Sequence, residues 1–585
     1  MKNTCNFRNV NRQKLANYLL CMLVLVAFFA CNKKGDDIIN EEDIVKKEET
    51  INKDGTIDKE DNTDEEEIID GVKCSELGMI PNDDTKGVHN RNILIDALKD
   101  GTTILVDDKY YLTGLGTPTK VDSDIVIAGI TDNAELCFTK TTLSGSSNFV
   151  RVASANLLMR KIRFTTNKDE ALFAFRLSDA HKMETMRFEK CYFEGPIRLI
   201  SWGYTGSVIP NPETNDYGID NFKFNDNTCK NISTTLIMIH NVPVKHSQIM
   251  RNEIRNFSNI FYNQERSNDN PNGAILATKM EYLEVKDNTV INDVSWDGKE
   301  QDKDHMYHCF IFFEGNNCEY KNNHVEGLHV IDEEVVVYDG YFSCINLEYE
   351  NNYWKNNITF HPTYTEGRQL MKCKGGAYID SYRNVKRVCR NNTFIVEKSY
   401  AEKLGRNPDE LWVKIIEFQS DMNSVVVEKN KIDVYVMRLN TADVKTHNFT
   451  FSNNDIHAVK TLNSGSNCVL PITTRIEDGV HGDYIARDNK IVIDEPGSTP
   501  ITNNSLIRYT FPNKKIDHTK VTFENNHVKW PDLQYIVSAG YTANLAGAEI
   551  SIKGNTIISE SVLVDRYNIN GSIDKSDNTF TTTSN

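Results

Sequence analysis

The residues of this sequence best suited to chemistry are cations set inside apolar strands. Lys414 in "LWVKIIEF" and Arg438 in "VYVMRLN" each stand sixteen positions before an Asn of a recurring pattern, Asn430 and Asn454. A basic side chain is costly to bury, so both are expected to point outward. Their equal offsets place them on neighbouring turns of whatever repeat the Asn marks. Two adjacent cations facing a uronic acid would neutralise its carboxylate and make its C5 proton acidic. They would also depress each other's pKa, giving Lys414 a route to acting as the base. That is the chemistry of β-elimination. Arg475 in "PITTRIED", Trp412 beside Lys414, and Tyr338 and Asp339 in "VVVYDGYF" are candidate substrate contacts. Glu314 in "CFIFFEG", with Asp339, supplies oxygen donors of the kind calcium takes. The competing view is that these are solvated charges on an exposed sheet, where ion pairs are commonly without function.

Positioning such residues requires a repeating frame, and the sequence has one. "CEYKNNHV", "LEYENNYW", "VCRNNTFIV", "FTFSNNDI" and "VTFENNHV" share a strand, an Asn, a variable residue and then a β-branched or aromatic residue. The unit recurs from Asn227 to Asn578, and Cys191 in "FEKCYF" fills the same slot. Asn tolerates left-handed backbone and bonds its amide to nearby backbone at a tight bend. If such bends stack, each amide can donate to the Asn one layer away, about 4.8 Å on. The pattern therefore predicts an all-β chain, a single-stranded right-handed parallel β-helix solenoid with an Asn ladder. "RNILIDALKDG" has the spacing of a short helix stopped by Gly101, suited to capping the first open rung.

The repeat and the entry segment "GMIPNDDTKGVHNRNILIDALKDGTTILVDDKYYLTG", Gly78 to Gly114, together resemble the pectin-lyase-like superfamily of parallel β-helix proteins. The resemblance implies that the strand ten to sixteen residues before each Asn borders a polysaccharide cleft, which is where Lys414 and Arg438 lie. The "NTDG" and "GHG" motifs of polygalacturonase-like hydrolases and the "RxPxxR" motif of pectate lyases are not in the sequence. No convincing carboxylate pair stands out for glycoside hydrolysis. His240, His308, His361 and His481 have no Ser or Cys partner in a recognisable elbow.

The amino terminus reads separately. Residues 1–31 combine Lys2, Arg8, Arg12 and Lys14 with an apolar run ending at Cys31, and they resemble a bacterial lipoprotein signal with Cys31 as the lipidated residue. Residues 32–72 form an acidic tether without aromatic residues, followed by a cap and entry strands over 73–137 and the β-helix over 138–585. The net charge of −17 argues against affinity for nucleic acid. The cysteines show no CxxC and no metal-ligand spacing, so most are expected to be buried small apolar residues. The sequence thus points to an exported, lipid-anchored protein of the outer membrane or cell surface, touching the membrane through its anchor alone. It would act on polysaccharide as a lyase, with calcium as the candidate cofactor, or else hold glycan without catalysis.

Overall fold

The computed structural model describes the strands, bends and amino-terminal cap of a coil between residues 69 and 583. Residues 1–68 and many connecting loops lie outside the described residues; among the longest are 204–217, 258–271, 331–340, 374–385 and 474–481. Cys31, Tyr338, Asp339 and Arg475 fall there. The coil is a parallel β-helix. The described strands lie on three faces and pair in parallel with counterparts on neighbouring rungs. On the second face Asn156–Arg160, Lys182–Glu189, Gly218–Asn225 and Val244–Met250 stack in this way. On the third, Arg163–Thr166, Tyr192–Glu194, Thr228–Ile232 and Glu253–Phe257 do the same. Stacking begins upstream of residue 138, since Ile104–Val106 pairs with Ile125–Gly129 and that strand with Asn156–Arg160.

The bend between the second and third faces explains the Asn repeat. From Asn227 to Asn555 each ladder Asn is buried, and its Nδ2 donates to Oδ1 of the next: Asn323 to Asn352 at 3.1 Å, Asn352 to Asn392 at 2.9 Å, Asn392 to Asn430 at 3.0 Å. The same Oδ1 accepts the backbone N–H of the preceding ladder Asn, and each Nδ2 also donates to a carbonyl of the rung before, as Asn352 does to Tyr320 at 2.9 Å. One side chain thus satisfies two backbone groups of the rung before it and bonds the ladder Asn of the rung after it, in a bend closed to water.

The left-handed residue is not the ladder Asn, as the sequence suggested, but the residue before it. Asn322, Asn351, Asn391, Asn453 and Asn525 have φ between 54° and 58°. This divides the labour in each "NN" pair: the first Asn turns the chain and the second bonds across rungs. Where the turning residue is Lys190, Arg251 or Lys429, the bend keeps the same φ, near 55°. At the amino-terminal end the ladder slot is apolar, with Cys191 accepting no side-chain partner but offering its N–H to Asn227 Oδ1 at 2.9 Å.

Inside, residues at the same offset stack into columns. Phe164 and Phe193 form one, their ring centroids 5.5 Å apart, and Phe138 and Phe224 extend the stack from other offsets at 6.4 and 5.7 Å. Tyr320 and Tyr349 stack at 4.9 Å. Cys74, Cys137, Cys191, Cys229, Cys389 and Cys468 are buried free thiols. The Gly87–Lys99 helix caps the first rung. It buries Leu94, Ile95 and Leu98, while Asn90 clasps both backbone groups of Ile80 at 2.8 and 2.9 Å. Gly101, at φ 72°, ends it.

Candidate functional site

The predicted cationic pair lies on the first face. The Trp412–Phe418 strand pairs with the end of Lys431–Arg438, and the register sets Lys414 opposite Arg438 with Val413 opposite Met437. Arg438 is half-buried between Met437 and Leu439, both fully covered. The next rung continues the pairing, with Val436 opposite Lys460 and Met437 opposite Thr461. From Cys468–Thr473 onward the first-face strands form a separate sheet with Ser505–Thr510, Tyr535–Ala539 and Val564–Arg566.

Trp412 does not fit its expected part. It is 6% exposed, and the neighbouring Val413 is 2% exposed, so the strand is covered on both sides here. A ring of that size gains more from contact with apolar neighbours than from water, and a covered ring offers no sugar-stacking face. Glu314 belongs to the Tyr307–Lys321 strand, at the place where its register with Tyr341–Glu350 slips between Phe312 and Gly315. Among the described residues no group of three or more His, Cys, Asp or Glu is placed to hold a metal ion.

A groove opens instead on the second face. It has a volume of about 560 Å³ and crosses four consecutive strands: Gly218–Asn225, Val244–Met250, Met280–Lys286 and Tyr307–Lys321. Its centre is a pair of parallel rings. His246 and Tyr282 stand opposite one another on adjacent rungs, centroids 5.1 Å apart and planes within 7°. Tyr282 is 46% exposed, so part of its ring meets solvent in the groove. Asn221 and Asn317 continue the same column above and below, and Lys223, Gln248, Glu284 and Glu319 form a parallel column beside it.

The groove is edged by a zigzag of charges. Lys286 bridges Glu284 at 2.6 Å and Glu319 at 2.5 Å; Lys321 bridges Glu348 at 2.5 Å, Glu319 at 3.5 Å and Glu350 at 3.8 Å; Arg390 continues it from Glu350 to Glu428. Burial pushes the Glu284 carboxyl up, but hydrogen bonds from Lys286 and Gln248 outweigh this and hold it below its usual range. Lys286 and Lys321 lose some basicity to burial and regain more from their carboxylate partners, so both stay charged.

No protein-family model matches the sequence, and no curated protein matches it. Among solved structures, the A-module of Azotobacter vinelandii mannuronan C-5 epimerase AlgE6 aligns over 87% of this chain and 98% of its own, at 8% identity and a TM-score of 0.22. At that score the alignment carries no argument about the site. The fold rests on the strand pairing itself.

A second polar cluster decorates the third face. His457 is held between Asp433, 2.8 Å from Nδ1, and Asp494, 2.9 Å from Nε2. Tyr435, one strand position from Val434 and Val436, which are both buried, points outward rather than into the coil. Its hydroxyl donates to Asp409 at 3.4 Å, and the ammonium groups of Lys460 and Lys398 lie over the ring at 5.3 and 5.5 Å. Each charge here already faces an opposite one, which makes the cluster a clasp between the 398–410 segment and the coil.

Sequence reasoning missed His246 and Tyr282, yet a signal for them exists. Asn221, His246, Tyr282 and Asn317 each stand six residues before a ladder Asn, and the second column stands four before it. Counting back by twos from each Asn gives the outward residues of the second face. The search followed the first face, sixteen residues back, where inserted loops and doubled buried positions such as Val436 and Met437 spoil the count.

Proposed function

We propose that this chain binds an extended polysaccharide along the axis of its coil, with the groove around His246 and Tyr282 as the recognition site. One observation carries the reading: an aromatic ring, half exposed and braced from behind by a second ring, stands in a groove bordered by amides and carboxylates. Rings of this kind cover the apolar face of a sugar while neighbouring polar groups bond its hydroxyls. Four rungs span three steps of about 4.8 Å, or roughly 14 Å along the axis, enough for a short oligosaccharide. An acidic tether behind a lipidated Cys31 would hold such a coil at the surface of a bacterium.

The reading is tested by titrating soluble polysaccharides into the wild-type chain and into Tyr282→Ala. Loss of affinity in the variant is expected; unchanged affinity would remove the groove from the account. A second reading, eliminative cleavage of a uronic-acid glycan, draws on the register that pairs Lys414 with Arg438. It predicts a rise in ultraviolet absorbance from the unsaturated product, with or without calcium, that Lys414→Ala abolishes.

A further inference from the structure

We infer that the groove takes a neutral pyranose glycan and turns away polyuronates. The inference rests on the groove being the glycan site and adds the class of sugar. Its grounds are the identity of the outward columns and the way the cations beside them are engaged.

In the column four residues before the ladder Asn, the rungs at the groove and just past it present Glu284, Glu319 and Glu348 in succession. The cations nearest them are already committed. Lys286 lies between Glu284 and Glu319, and Lys321 between Glu319, Glu348 and Glu350, at 2.5 to 3.8 Å. A polyuronate laid along the axis would bring its own repeated carboxylates beside this row. To be neutralised there it would have to displace carboxylates from Lys286 and Lys321, which are well placed and hydrogen-bonded where they are. Like charges set side by side along a partner cost several kcal/mol, and that is how interfaces reject wrong ligands.

A neutral pyranose meets no such cost. Its hydroxyls can donate to the outer lone pairs of the glutamates, and the amides of Asn221, Gln248 and Asn317 offer them both donor and acceptor capacity. Its C–H groups can pack against the exposed part of Tyr282, which His246 holds in place. Lys223, at the start of the glutamate column, is the one groove cation outside this ion network among the described residues, and it can donate to a hydroxyl as readily as to a carboxylate.

The test is a binding panel on the full chain: a soluble β-glucan, a mannan and a xylan against polygalacturonate and polymannuronate, at low and physiological salt. Binding of at least one neutral polymer is expected. It should change little with salt, fall about tenfold or more in Tyr282→Ala and persist in Tyr282→Phe, because the ring and not the hydroxyl supplies the contact. Thermal unfolding of both variants shows whether the coil is intact. Binding of polyuronates alone, lost in Tyr282→Ala, would overturn the neutral class and leave the groove as the glycan site. Binding unaffected by Tyr282→Ala would overturn both. Failure of every neutral polymer to bind the folded chain would overturn the inference.

Discussion

Two columns run along the same rungs of this coil, separated by a few residues in each. At the bend, the ladder is Asn at every rung from Asn227 to Asn578, bonded rung to rung and buried up to its part-buried last member. Six residues earlier, the outward column changes from rung to rung: Asn221, His246, Tyr282, Asn317. The ladder answers a demand that recurs identically at each turn, so one residue type serves throughout. The outward column meets water everywhere except where something else must be met. A stacked His–Tyr pair there, inside a groove, is a local departure that the coil itself does not need. In a solenoid, then, structure is carried by what repeats and recognition by what does not.

Breaking the ladder should cost most. Asn352→Ala would leave the Tyr320 carbonyl and the Asn323 backbone N–H without their side-chain partner in a dry bend, and would cut the side-chain bonds from Asn323 Nδ2 and to Asn392 Oδ1. A buried polar group left unmade costs about 1–3 kcal/mol, and several are stranded together, so a loss of about 3 kcal/mol or more is expected in urea unfolding. Asn578→Ala, at the part-buried end of the ladder, should cost clearly less. Equal losses would mean the ladder does not act as a chain.

Next in size, Tyr282→Ala should lower glycan affinity by about tenfold while shifting stability by no more than about 0.5 kcal/mol, the usual range for surface changes. A large drop in stability would mean Tyr282 belongs to the frame and not to recognition.

How much of this was legible follows from the same contrast. The ladder, the parallel coil and the capping helix could be read because each rung restates the same constraint, and even Cys191 was assigned its correct slot from the surrounding alternation. What could not be read was which of three faces carries a groove. Trp412 shows why: in a strand covered on both sides, alternation no longer tells inward from outward. Arg387 makes the point in reverse. It stands five residues before Asn392, a core position, and is 1% exposed despite its charge. His246 and Tyr282 were within reach of counting from the Asn, but nothing in their types alone distinguished them from other surface residues.

Smaller effects sharpen the comparison. Lys321→Met removes the centre of the ion zigzag. Lys321 is 21% exposed, but Glu319 and Glu348 are about 40% exposed, so screening limits the loss to about 1 kcal/mol, shrinking as salt is raised. Smallest is the His457 clasp. The hydrogen bond it donates to Asp433, then that to Asp494, raises its pKa above the ordinary 6.5. A raised folded-state pKa gives stability that is fully present below the unfolded value and lost as pH climbs through the folded one. Wild type should therefore lose slightly more stability than His457→Gln between mildly acidic and mildly alkaline pH. Identical slopes in thermal unfolding would show that the clasp contributes nothing.

The most direct test of the central claim is to titrate one bound polysaccharide into three proteins by calorimetry: wild type, Tyr282→Ala, and the double variant Lys414→Ala/Arg438→Ala. The account predicts that affinity falls in the first variant and stays near wild type in the second. Affinity lost in the second and kept in the first would contradict it and return the site to the first face.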